Sequence, residues 1–201
     1  MKKLIFVLLF SGCLFHDKLL AQTQWEIKAF AGASDAAFLG SYLVGGPNVN
    51  VDRFQEFGVR LSWKGDSKWG METGLSYAKA ILSLSSMWIP TGNPPPRPSS
   101  SVIVIKEPFD YISLPAIVTF EVTSFLTIQA GPLVGVQLSE YSDWLRQSGV
   151  GYLIGLNLHH YIDRWGIFLQ PNFKQHSVIG IHQSSMRLTE FGLQFGVGYK
   201  L

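Results

Sequence analysis

Residues 191–201 read FGLQFGVGYKL, large apolar residues alternating with glycine, amide and lysine. Successive side chains of a strand point to opposite faces. Phe191, Leu193, Phe195, Val197 and Tyr199 therefore share one face, and Gly192, Gln194, Gly196, Gly198 and Lys200 the other. Working back along the chain, the same period of two marks seven more segments. Ile167, Leu169 and Phe173 oppose Gln170, Asn172, Lys174 and His176. Val150, Tyr152, Ile154, Leu156 and Leu158 oppose Gly151, Gly155, Asn157 and His159. Ile128, Ala130, Val134 and Val136 oppose Gln129, Gly131, Gly135 and Gln137, while Ile112, Leu114, Ala116, Val118 and Phe120 oppose Ser113 and Thr119. Nearer the N-terminus, Trp69, Met71, Leu75 and Tyr77 oppose Gly70, Glu72, Gly74 and Ser76. Phe57, Val59, Leu61 and Trp63 oppose Glu56, Gly58, Arg60 and Ser62, and Trp25, Ile27, Ala29 and Ala31 oppose Glu26, Lys28 and Gly32.

The connections between these segments alternate in length. Gly65–Lys68, Thr123–Phe125 and Ile162–Arg164 are short, whereas Asp35–Arg53, Lys79–Pro108, Ser139–Gly149 and Ser177–Met186 are long. A transmembrane barrel has tight turns on its periplasmic rim and longer loops on its outer rim. The expected fold is all-β, an eight-stranded antiparallel up-and-down transmembrane β-barrel with both termini periplasmic. A soluble lipocalin-like binding barrel has the same period with its faces reversed. The polar face here holds Gly, Ser, Asn and Gln with sparse charge, where a water-facing sheet would carry more Lys and Glu. Trp25, Trp63, Trp69, Trp165, Tyr161 and Tyr199 lie near strand ends, where an interfacial girdle sits. The apolar face is therefore read as lipid-facing.

The flanking chain agrees. Lys2 and Lys3 precede an apolar run, Leu4–Phe15, and the segment turns polar before Leu19-Leu20-Ala21-Gln22. That run is too short to span a bilayer as a helix, so residues 1–21 are expected to be a cleaved export signal and 22–201 a single barrel domain. Phe10-Ser11-Gly12-Cys13 is a rival lipoprotein site, with Cys13 as the acceptor. Charged residues are 15% of the chain, and removing Lys2, Lys3, Lys18 and Asp17 leaves the two signs balanced. Nucleic-acid binding would want a basic excess. Pro115, Pro132 and Pro171 fall inside strands and each is expected to mark a bulge or a locally unpaired position near a rim.

Residues 111–118 (YISLPAIV), 129–138 (QAGPLVGVQL), 151–157 (GYLIGLN) and 191–201 resemble the PorT-like outer-membrane β-barrel family. The likeness spans nearly the whole mature chain. It implies a small eight-stranded barrel of a Gram-negative outer membrane, surrounded by outer-membrane lipid and inserted by the barrel-assembly machinery. Such strands usually end in Phe, and this chain ends in Leu201.

Candidate residues follow from the faces. Glu26, Lys28, Glu56, Arg60 and Glu72 should all point inward and form a salt-bridge network, because buried charges must be paired. An eight-stranded ring leaves room for side chains or one small ligand rather than a channel. His159 and His160 face opposite sides of one strand and cannot share a metal, and neither a metal nor a cofactor is expected. His182-Gln183-Ser184-Ser185 is loosely similar to the His-x-Ser-Asn motif of outer-membrane lipid A deacylases, with Ser185 in place of Asn. A lipid-modifying enzyme using His182 and Ser184 is the enzymatic alternative. The expected function is non-enzymatic, structural or partner-docking through the long outer loops. Residues 80–88 and 100–107 look like strand continuations that carry Trp88, Ile89 and a rigid tip of Pro94, Pro95, Pro96, Arg97 and Pro98. The apolar stretch 38–45 should cover the barrel mouth or dock a partner, which could be another envelope or surface protein.

Overall fold

The structure is a computed structural model and describes residues 24–40, 48–87, 102–139, 145–181 and 186–201. Its strands are β1 (Gln24–Gly40), β2 (Asn48–Lys64), β3 (Trp69–Met87), β4 (Val102–Thr123), β5 (Leu126–Gln137), β6 (Gly149–Ile162), β7 (Trp165–Gly180) and β8 (Met186–Lys200). Each pairs antiparallel with its neighbours in sequence, and β1 pairs with β8, so the ring closes with no edge inside the membrane. In hydrocarbon every backbone polar group must be satisfied internally, and closure is how strands achieve it.

The faces fall as the alternation requires. Ile27, Phe57, Val59, Leu75, Val134, Ile154, Phe195 and Val197 are exposed to the surroundings, while Glu26, Lys28, Arg60, Glu72, Gln129, Asn157 and Gln194 are buried inside. An apolar outside around a polar inside is the inverse of a lipocalin. Near the short turns Trp69 packs on Phe120 and Trp165 on Tyr199. A second aromatic band, with Phe57 on Tyr77 and Tyr152 on Phe173, lies higher up. Trp69 to Tyr77 and Trp165 to Phe173 both span eight residues. On strands tilted as in such barrels that separates the bands by ~20 Å, close to the height of an outer-membrane apolar belt. Tyr161 departs from the expected girdle, since its hydroxyl turns into the lumen to bond Glu26.

The long connections are shorter than their sequence boundaries. The continuations read at 80–88 and 100–107 are paired strand from Ala80 to Met87 and from Val102 to Glu107, and the unexpected extension is that of β1 past Asp35 and of β2 before Arg53. The polar-looking residues there belong to a barrel wall standing above the lipid, where an outward apolar face is no longer needed. Of the two alternatives for the prolines, the locally unpaired position is what the strands show and the bulge is not. Register is unchanged across Pro115, Pro132 and Pro171, while pairing is interrupted on one flank at Pro132 and Pro171 and on both flanks around Pro115. Thr73 Oγ1 donates to the Pro115 carbonyl at 2.9 Å across such a gap. The true register shifts lie elsewhere, including Asp52/Gln55 and Val150/Tyr152, with Arg53 and Ser177 in left-handed conformation at φ 56 and 52.

Two inward glycines show why this residue recurs. A Cβ on Gly135 would collide with the Tyr111 ring, and one on Gly198 with the Glu26 carboxylate. Gly135→Val should therefore destabilise the barrel by about 1–3 kcal/mol through overpacking. Urea unfolding in lipid vesicles measures it, and a wild-type midpoint would contradict the crowded-lumen account.

Candidate functional site

The lumen is organised around one continuous run of charged and amide side chains. Tyr161 donates its hydroxyl to both oxygens of Glu26, at 2.8 and 2.9 Å. Lys28 lies 3.7 Å from Glu26 and donates to Glu72 at 2.6 Å. Arg60 donates to Glu72 at 2.9 Å, to Gln170 at 2.8 Å and to Gln194 at 2.7 Å. Gln194 passes the run on, its amide donating to Glu56 at 2.5 Å. Lys174 then sits between Glu56 and Glu190, 2.5 Å from each, and His176 lies 3.6 Å beyond on Glu190. Aromatic rings help to hold the cations, with Phe30 4.5 Å from the Arg60 guanidinium and Phe168 5.7 Å from Lys28.

Four carboxylates here meet three fixed cations among the described buried residues. The Tyr161 hydroxyl supports the surplus carboxylate by donating to Glu26. On the β4, β5 and β6 side a small apolar cluster of Ile117, Leu133 and Leu153 sits among the inward, uncharged Ser113, Gln129 and Asn157.

Above the charges lies an apolar plug. Tyr111 meets His176 edge-on at 4.8 Å and stacks on Phe109 at 6.0 Å, and Phe109 contacts Phe54 at 6.4 Å. Phe38, Leu82, Leu145, Met186 and Leu188 complete the layer. The connection between β5 and β6 is drawn into it. Gln147, fully buried, donates its side-chain amide to the Met186 carbonyl at 2.8 Å and accepts from the Leu188 N–H at 2.9 Å. At the opposite, short-turn rim the lumen opens into a polar vestibule of about 250 Å³, whose wall includes Glu26, Lys28, Asn157 and the Lys64–Glu121 ion pair. Among the described residues the lumen is thus open below and filled by the plug above.

The structure brings together all of Glu26, Lys28, Glu56, Arg60 and Glu72, in one network and facing inward. Sequence reasoning missed that Lys174, Glu190, Gln170, Gln194 and Tyr161 join it. Lys174 and Gln194 were legible as inward-facing, and the unbalanced charge of the five residues on β1 to β3 was the signal that a cation was missing. Leu145 and Gln147 carry no periodic signal. Phe38, from the apolar stretch 38–45, is buried in the plug, whereas Leu39 is exposed. The expected export segment with Cys13, the pair His182 and Ser184, and the tip residues Trp88, Ile89, Pro94, Pro95, Pro96, Arg97 and Pro98 lie outside the described residues. Among the described residues no group of three His, Cys, Asp or Glu converges as a metal site would require.

Fold and interior together define a transmembrane β-barrel with a filled lumen. Among solved structures the chain is similar to Ail of Yersinia pestis in complex with the heparin analogue sucrose octasulfate, at 14% identity over 90% of this chain and 99% of that one, with a TM-score of 0.49. It is also similar to Neisserial surface protein A, at 12% identity over 88% and 97% with a TM-score of 0.46. The outer-membrane protein AlkL in lipid bilayers matches at 13% identity over 90% of each chain, with a TM-score of 0.49. These faint likenesses say nothing of function, and the barrel is established by its own closed pairing. No family model matches the chain, and no curated protein matches it significantly.

Replacing Arg60 with Met should leave Glu72 on Lys28 and Ser62 alone and strand Gln170 and Gln194. A loss of about 3 kcal/mol is expected, at the low end for a broken buried pair because two partners of Glu72 remain. Equilibrium unfolding in vesicles reads it, and an unchanged stability would show that the network is not cooperative. Planar-bilayer recording of the wild type should show no steady conductance, and reproducible channels would contradict the sealed upper lumen.

Proposed function

We propose that the chain is a non-enzymatic integral protein of the bacterial outer membrane, whose packed barrel is a rigid mount for an outward hairpin that docks another envelope or surface protein. The observation that carries this reading is the inequality of the strands. β3 and β4 run 19 and 22 residues, while β5 and β6 run 12 and 14. The hairpin remains paired to Met87 opposite Val102, far above the level where β5 ends at Gln137. A plugged, salt-bridged lumen suits a mount better than a conduit, and a low-entropy, pre-formed hairpin loses little freedom on binding. The resemblance of the quoted segments to PorT-like barrels fits the same placement, as does the export segment at residues 1–21.

The test shortens the hairpin at a point where it is paired, replacing residues 86–103 with an Asn-Gly turn that joins Ser85 to Val104. The barrel should keep its heat-modifiable mobility on detergent gels while a specific neighbour disappears from cross-linked membranes. An unchanged set of neighbours would remove the docking reading. Lipid A from cells with and without the protein should be identical by mass spectrometry. A lost acyl chain that depends on His182 and Ser184 would replace this reading with the enzymatic one.

A further inference from the structure

Among the described residues, β4 above the membrane has a neighbouring strand on one side only. Every residue from Val102 to Asp110 is paired with β3. On the other flank the pairing with β5 stops at Tyr111 opposite Gln137, and the last backbone link is the Leu138 N–H to the Asp110 carbonyl at 2.9 Å. Among the described residues no strand lies along the outer edge of residues 102–109. Val104 and Ile105 are each 53% exposed, and Lys106, Glu107 and Pro108 are exposed as well, so this stretch stands clear of the barrel on both faces.

A free edge presents a row of N–H and C=O groups that another extended chain can complete. Proteins usually blunt such edges with proline, charge or a bulge. Here Pro108 sits at the foot of the edge, where β5 ends, and the four residues 102–105 above are all β-branched, with high strand propensity and no charge. A second copy is a poor occupant. Copies inserted in one membrane carry β4 in the same direction, so two edges would meet in parallel and set like charges side by side at Lys106 and at Glu107. An antiparallel segment of a different chain avoids this. Opposite Glu107 it would place a basic residue, opposite Lys106 an acidic one, and opposite Ile105 and the residues above it further β-branched side chains.

We propose that the Val102–Glu107 edge is a β-augmentation site for an extended segment of another surface polypeptide, running antiparallel to β4 and reading basic, acidic, then β-branched from its N-terminal end. This deepens the docking function proposed above and rests on it. It assigns the contact to main-chain hydrogen bonds along the β4 edge, with the Lys106–Glu107 pair setting register and direction.

The experiment uses the full barrel in lipid nanodiscs and two labelled synthetic peptides, Lys-Glu-Val-Thr-Val-Thr and its charge-reversed counterpart Glu-Lys-Val-Thr-Val-Thr. The first should bind by fluorescence anisotropy and should protect alternate backbone amides between Ile103 and Glu107 from hydrogen exchange. The second should bind about tenfold more weakly, since two cross-strand attractions become repulsions. In the double variant Lys106→Glu, Glu107→Lys, with unchanged heat-modifiable mobility, the preference should reverse. The proposal is overturned if neither peptide alters exchange at these amides, or if both bind equally to both barrels. A cellular neighbour lost from the hairpin-shortened barrel but retained by the charge-swapped one would also overturn it, while leaving docking through the tip intact.

Discussion

Arg60 is the point through which the interior is joined. Its guanidinium reaches Glu72 on β3, Gln170 on β7 and Gln194 on β8, and through Gln194 it connects the lower charge cluster to Glu56, Lys174 and Glu190. Seven charged side chains cannot be taken from water into a ring of this size one by one, since each alone would cost several kcal/mol. They enter as a set in which Glu26, Glu56 and Glu72 accept hydrogen bonds from neighbouring donors and Glu190 lies against Lys174. A planar guanidinium with donors on several sides can bridge partners from facing walls, which an ammonium serves less well. Glycine at facing positions then becomes a requirement, because long polar side chains need the space that a Cβ would occupy.

The outside obeys a different constraint. Lipid supplies no hydrogen bonds, so the backbone must be paired all round and only apolar side chains can face outward. The same strand thus meets two opposite demands on successive residues. That is why the inside-out pattern of Phe195 against Gln194, or Val59 against Arg60, is sharper than in a soluble sheet. The prolines show how much this closed pairing tolerates. It absorbs a missing N–H without shifting register, and at Pro115 the Thr73 hydroxyl engages the carbonyl at the gap.

Past the outer aromatic band the demands relax, and the wall behaves like a water-soluble protein. There the inward face becomes apolar, with Phe38, Phe54, Leu82, Phe109 and Leu188 forming a small core over the charges. The plug isolates the charged layer from the outer solvent and ties β1, β2, β3, β4 and β8 together at the height where the β3–β4 hairpin departs. A rigid base of this kind gives the hairpin a fixed direction. The vestibule at the other rim leaves only Glu26 and its neighbours in contact with water from below.

The alternation of residues 191–201 and its seven counterparts was enough to establish strand number, the face each side chain takes and the inward placement of Glu26, Lys28, Glu56, Arg60 and Glu72. Those properties are local, since a period of two can be read from consecutive residues. What meets what across the lumen is not local. Whether Arg60 touches Gln170 or Lys174 reaches Glu56 depends on the stagger between strands far apart in the chain, and no single segment encodes it. The same holds for Gln147 and Leu145, which enter the plug from a connection without periodicity. It holds too for the upper ends of β1 and β2, because pairing beyond the membrane no longer needs the apolar outward face that made the strands visible. Sequence alone determined the barrel and the two faces of its membrane-spanning strands, and the tertiary structure decided which further side chains fill the interior, how its charges meet and which edge of the wall is left open.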